Sequence, residues 1–250
     1  MTALLALLAP LLVMAPPMVA VGPASYTPST GRPGADAVDV PRFLLDVDLV
    51  SRADFAAFVK RQPGWARGSA KALFVDERYL ADWATATRPG DGVDVGAPVT
   101  LVSWFAARAY CAALGKRLPN TDEWELAAAA SSTKKDARAD PAFVATILDW
   151  YARPGAALPG RRASRANAWG ARDLHGVVWE WVDDFGSALV TADVRSNDDG
   201  GAALFCGGAG SSAIDPADYA GFMRLAFRSS LEARFALPLL GFRCAKDVPR

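Results

Sequence analysis

Residues 98–126 read PVTLVSWFAARAYCAALGKRLPNTDEWEL. Val99–Val102 is β-branched and apolar, the composition of a short strand. Ser103 follows as a helix cap, and Trp104, Ala107, Cys111 and Leu114 then recur at helical intervals on one face. Gly115 supplies the C-terminal stop. After Leu118-Pro119, Asn120 or Thr121 caps a further helix whose first turn holds Asp122 and Glu123, where the helix dipole favours carboxylates. Trp124 and Leu126 are expected to pack inward.

Upstream, Ser51 and Asp54 form a capping pattern ahead of Phe55, Phe58 and Val59, which predicts an amphipathic helix ending near Pro63-Gly64. Lys71–Trp83 reads as a strand-like piece with a helical turn, and Asp91–Ala97 as a Gly/Asp turn. From Ser131 to Ala168 the periodicity decays into Ala, Arg, Pro and Gly and predicts mostly irregular chain. The last third is β-branched and aromatic in short runs: Val177–Val182, Leu204–Cys206, Leu225–Arg228 and Gly241–Cys244 are strand candidates. Helices early and short strands late predict an α+β fold in a single irregular domain.

Composition narrows the function. The chain of 250 residues carries 27 Lys+Arg and 27 Asp+Glu, and this balance argues against nucleic acid or an anionic membrane as partner. His175 is the only histidine, which rules out a three-His metal centre. The three cysteines, Cys111, Cys206 and Cys244, form no CxxC motif, so zinc ribbons and thioredoxin-type redox sites are excluded. Residues 1–24 hold no charged side chain, and the apolar run Ala3–Val13 has signal-peptide length, with small residues near Ala20–Ala24 for cleavage. The run is shorter than a membrane span and is followed by Pro16 and Pro17. The expected division is a signal peptide at 1–24, a Pro/Gly/Ser-rich linker at 25–41 and one domain at 42–248, periplasmic or secreted, with no transmembrane helix after signal cleavage.

Three segments together resemble one family. Pro98–Leu126, Asn167–Trp181 (NAWGARDLHGVVWEW) and Cys206–Cys244, with its CGG, AFRSS and LGFRCA pieces, are similar to the ordered motifs of the formylglycine-generating enzymes, or sulfatase-modifying factors. The resemblance runs from about Pro41 to Asp247. It implies a modified C-type-lectin fold poor in regular secondary structure, and an activity in which oxygen and copper convert a sulfatase cysteine to formylglycine. That chemistry rests on two cysteines shortly after a Gly-Gly turn, because soft thiolates suit Cu(I). Here the turn is Gly207-Gly208, followed by Ala209, and the two positions fall near Ser212 and Ala217. No catalytic residue is therefore carried over. The wider superfamily's iron-dependent sulfoxide synthesis needs a histidine cluster, which His175 alone cannot supply.

The resemblance further implies a Cys111–Cys244 disulfide, against two buried thiols as the alternative. The positions matching a second family disulfide, Ala128 and Leu225, are both apolar. It also implies a calcium site at Asp173, Gly176, Val178 and Glu180, two carboxylates and two main-chain carbonyls around one turn. The alternative is an ordinary acidic turn with Glu180 paired to an arginine such as Arg172. Cys206 reads either as a small buried hydrophobe on a strand, as a copper ligand together with Met223, or as half of an intermolecular disulfide. Trp179 and Trp181 share one strand face, His175 is expected at the surface, and Arg228 and Arg243 are expected to answer buried carboxylates. Three functions follow: an exported binding or accessory module for a protein or peptide partner, an oxidase with a copper site rebuilt around Cys206, or an accessory to a periplasmic copper enzyme.

Overall fold

The computed structural model describes residues 16–28, 37–153, 165–186 and 216–248. The chain enters the fold through Met18–Val21 (β1) and Ala24–Tyr26 (β2), then Val38–Val40 (β3) and Phe43–Asp46 (β4). β1 pairs antiparallel with β4, and β2 with β3. Val21 is fully enclosed and Tyr26 nearly so. Met18–Val21, Ala24–Tyr26 and Val38–Val40, which fall within the expected signal peptide and linker, are strands here. Gly22, at φ +74°, makes the turn between β1 and β2, where a Cβ would stand 3.1 Å from the Pro41 carbonyl. The Pro/Gly-rich composition marks tight corners between short strands as well as linkers.

The first three helices form where their caps predict them. Arg52–Arg61 (α1) has the full Ser51–Asp54 capping box, and Trp104–Ala113 (α2) has the Ser103 hydroxyl accepting from the Ala106 N–H. Thr121–Ala128 (α3) has a box between Asn120 and Glu123. Each box satisfies two otherwise orphaned N–H groups. Between α1 and α2, the expected strand and helical turn of Lys71–Trp83 are instead a run of turns as far as Asp82. Trp83–Thr85 (β5) then pairs with Arg88–Pro89 (β6). Val99–Val102 joins no sheet; Val99 donates to the Val50 carbonyl, and Leu101 sits at φ +56°.

Two stretches depart further from expectation. Pro141–Tyr151 (α4) is a helix inside the segment read as irregular, started by the Asp140 side chain accepting from the Ala142 N–H, with Pro141 at its first position. Pro216–Ser229 is also a helix (α5), so Leu225–Arg228 is not a strand. Three apolar residues followed by one Arg cannot separate the two periods, and the choice was made by Arg224 and Arg228, one turn apart, reaching the same carboxylate on α3. Of Val177–Val182 only Trp179–Glu180 (β7) is strand, parallel to Leu240–Gly241 (β8). Ala245–Asp247 (β9) closes the sheet β1-β4-β9. Leu204–Cys206 lies outside the described residues.

Phe55 stands at the centre of the core, with Phe58, Trp83, Tyr110 and Phe242 all within 6.2 Å between ring centroids. Full burial of such a ring contributes roughly 1.5–3 kcal/mol. Gly241 lets β8 slide against Val99, whose carbonyl would lie 2.8 Å from any Cβ there. Trp181, fully buried, donates its Nε1–H to the Val102 carbonyl at 3.0 Å. Phe242, next to β8, packs on Phe55 of α1 and Tyr110 of α2, which holds the β7–β8 pair against these helices.

Candidate functional site

The sulfur inventory decides the most. Cys111 on α2 and Cys244 beside β9 form a disulfide, with both residues fully enclosed. The bridge spans a sequence separation of 133, for which the chain-entropy model gives at most about 5 kcal/mol. It is set in a polar hub: the Asp46 carboxylate accepts from the Cys244 N–H at 3.1 Å and from Lys116 Nζ at 2.5 Å. Burial pushes the Asp46 carboxyl upward, and Lys116 pulls against it. With two of the three cysteine sulfurs bonded to each other, Cys206 is the one cysteine left, and it lies outside the described residues. The copper donor set of two thiolates therefore does not fit this chain.

The turn at 173–180 is held by an arginine. Arg243 Nε and Nη2 donate to the two Glu180 oxygens at 2.8 and 2.9 Å, and both side chains are fully buried. The remaining guanidinium hydrogens reach the carbonyls of Arg172, Val47 and Asp46. A bidentate pair with every donor satisfied is the geometry in which a buried ion pair survives desolvation. Arg172 instead faces Asp48 at 3.1 Å. Asp173 and Gly176 supply the turn's left-handed corners, at φ +56° and +89°, and Val178 is buried. As arranged here the turn suits the expected calcium site poorly: both Glu180 oxygens are committed to Arg243, and a cation there would share the carboxylate with a guanidinium. Asp173, Gly176 and Val178 without it fall short of the six to eight oxygens calcium prefers.

Sequence reading missed the second polar cluster. Glu125, on α3, accepts from Arg224 at 2.6 Å and from Arg228 at 2.7 Å, both from α5. Arg224 also donates to the Tyr151 hydroxyl at 3.1 Å, and Arg228 lies over the Trp124 ring, 4.7 Å from its centroid. The two arginines hold the Glu125 carboxyl down at about 2 against the upward push of its burial. His175 packs edge-on against Trp124 and Phe143 and donates Nε2–H to the Ala128 carbonyl at 2.9 Å. It is thus a partly buried group packed between aromatic rings, not the surface imidazole expected. Burial first, then the charge of Arg224, lowers its pKa to about 4. Nδ1 then keeps a lone pair with no partner among the described residues. The cavity beside it, lined by Glu125, His175, Arg224, Phe143 and Ile147, has a volume of about 20 Å³. That is room for about one water and none for a substrate, so the cluster is a structural clamp.

Arg228 and Arg243 do answer buried carboxylates, as expected. Trp179 stacks on Phe227 at 4.4 Å and on Tyr151 at 5.0 Å, and Trp181 fills the core. Two signals for the missed cluster stood in the sequence: the Asp140-Pro141 helix start, and the one-turn spacing of Arg224 and Arg228. Their partner, Glu125, is about a hundred residues away. Among the described residues no group of three or more His, Cys, Asp or Glu is placed to hold a metal ion, and no helix is long and apolar enough to cross a membrane.

Comparison with known proteins agrees with the motifs. The chain is 32% identical over 165 residues to the hercynine oxygenase of Mycobacterium tuberculosis, covering 59% of this chain and 39% of that protein. It therefore spans well under half the length of that relative. It is 30% identical over 264 residues to the formylglycine-generating enzyme of Streptomyces coelicolor, covering 88% and 83% of the two chains. It is also 27% identical over 259 residues to the inactive C-alpha-formylglycine-generating enzyme 2 of Bos taurus, covering 85% and 80%. The structure of PvdO from Pseudomonas aeruginosa shares the fold, with a TM-score of 0.51 at 16% identity over 93% of this chain and 95% of the other. The family model for the sulfatase-modifying factor enzyme 1-like domain matches residues 12–248, taking in β1 to β3 as the structure does. The chain belongs to the sulfatase-modifying factor family, the formylglycine-generating-enzyme type.

Proposed function

We propose that this chain is a non-oxidising member of its family, an exported binding or accessory module for a protein partner. One observation carries the reading: the Cys111–Cys244 bridge leaves Cys206 as the single free thiol, where the family's chemistry needs a pair. A hydroxyl or methyl at Ser212 and Ala217 cannot hold Cu(I). A relative of similar length that is named inactive is consistent with the loss. The wider superfamily's iron-dependent sulfoxide synthesis is not carried over, since it needs a histidine cluster and His175 is the only histidine, bonded to the Ala128 carbonyl. Export is supported by the uncharged apolar run Ala3–Val13. The Val47 N–H donates to the Pro17 carbonyl at 2.9 Å, so leader removal compatible with this fold stops before Pro17.

Oxygen uptake by the purified chain, supplied with copper and a cysteine-containing sulfatase-type peptide, tests the reading. No uptake above the peptide-plus-copper blank is expected. Turnover that disappears in Cys206→Ser would establish the rebuilt oxidase instead. N-terminal sequencing of secreted protein tests the export arm, with a mature start at or before Pro17 expected.

A further inference from the structure

Among the described residues the apolar core has two parts, one around Phe55 and one around Val21 and Trp124. α4 gives neither part a side chain, and α5 gives Phe227, half-buried at the edge of the first. The buried residues of α4, Val144 and Ile147, line the small cavity beside His175 instead. Ala220 of α5 lines the same cavity, and the two helices pack on each other. They sit beside the core rather than in it.

What fastens this pair of helices is polar and aromatic. Glu125 on α3 accepts from Arg224 and Arg228, both on α5. α4 is tied in through α5, because its Tyr151 hydroxyl accepts from Arg224. Trp179 of β7 stacks on one ring from each helix, Tyr151 and Phe227. Removing one helix would strip contacts from the other, so the two are coupled. Beneath them polar satisfaction is incomplete. His175 Nδ1 and Trp124 Nε1 are buried without a hydrogen-bond partner among the described residues. The His175 ring touches Phe143 of α4, and the Trp124 ring touches Arg228 of α5. Both atoms would gain water if the helices lifted, which offsets part of the cost of lifting. Elements with few buried apolar contacts are also those that open below the global unfolding free energy.

We propose that α4 and α5 form a two-helix flap that lifts from the fold as one unit, with the Glu125 carboxylate as its latch, uncovering Trp124, His175 and Trp179 while the core around Phe55 stays folded. Hydrogen–deuterium exchange of the full oxidised chain tests this, read by mass spectrometry as opening equilibria of the slowest amides. Peptides covering 141–151 and 216–229 are compared with peptides covering 52–61 and 104–113. In the wild type, α4 and α5 should share one opening equilibrium, at least about tenfold more populated than that of α1 and α2. It should also respond less steeply to urea, because less surface is exposed. Glu125→Gln should raise exchange in both flap helices by one common factor of about thirtyfold or more. Phe58→Leu, a fully enclosed site on α1, should speed α1 and α2 about tenfold and leave α4 and α5 unchanged, since an opening that keeps the core intact does not touch Phe58. The wild type and Phe58→Leu decide the matter even where Glu125→Gln yields no folded protein. Different opening equilibria for α4 and α5, protection of both equal to that of α1 and α2, or acceleration of all four helices in Phe58→Leu would overturn the proposal.

Discussion

Glu180 on β7 meets one arginine, and Glu125 on α3 meets two. The first pair is fully enclosed, neutral in sum and joins two sequence motifs, tying β7 to the chain between β8 and β9. The second leaves one positive charge in excess, shared with the Tyr151 hydroxyl and the face of Trp124, and fastens α5 to the body. The surplus acts on a neighbour: Arg224 helps to keep His175 neutral. A matched pair locks a seam, whereas an unmatched one also sets the protonation of what it touches.

The largest break comes at the matched pair. Arg243→Met leaves Glu180 buried without a partner and should cost about 3–5 kcal/mol in urea unfolding. Adding Glu180→Gln should restore part of that loss, and a double variant no better than the single one would show that the pair is not what Arg243 contributes. Next is Glu125→Gln, which sets two guanidinium groups against each other. Because the Glu125 side chain keeps some exposure, about 3 kcal/mol is expected, measured the same way.

The unmatched cluster also predicts a pH dependence. The pKa of His175 is lowered from 6.5 to about 4, so the folded state prefers the neutral ring. That preference is present in full above 6.5 and is lost as pH falls from 6.5 through 4. The shift corresponds to about 3 kcal/mol, reduced to about 2 by solvent reaching the edge of the ring. Glu125 is lowered from 4.5 to about 2, and its contribution is lost only below 4.5. His175→Phe should therefore flatten the stability profile between pH 6.5 and 4.5 while leaving the steeper acid loss below it. The smallest expected effect is that of a chelator: with Glu180 taken by Arg243, EDTA should leave the melting temperature of the wild type unchanged. A drop that Asp173→Ala abolishes would show that calcium holds the turn after all.

Legibility followed the range of the interactions. The caps at Ser51, Ser103 and Asn120 act within three residues, and the helices they start were readable from local chemistry. Asp140-Pro141 carried the same kind of signal for α4, hidden among Ala, Arg, Pro and Gly. β1 was obscured because an apolar run leading into small residues has the same composition whether it leaves with a leader or pairs with β4. Glu180 has Arg172 as its near neighbour in sequence, but the fold brings Arg243 from 63 residues away. In the sequence Asp215-Pro216 precedes α5 as Asp140-Pro141 precedes α4, and the helical register of α5 is explained by Glu125, 99 residues from Arg224. The disulfide was legible only through the family motifs, which placed Cys111 and Cys244 at matching positions.

The central claim is that two of the three cysteine sulfurs are locked together and the third thiol cannot build the family's two-thiolate copper site alone. Anaerobic titration of the oxidised, mature chain with Cu(I), in competition with a chromophoric Cu(I) chelator, tests it most directly, with Cys206→Ser run alongside. The account predicts that the chelator keeps the metal in both proteins and that the two curves coincide. One equivalent of Cu(I) withheld by the wild type and released in Cys206→Ser would contradict it.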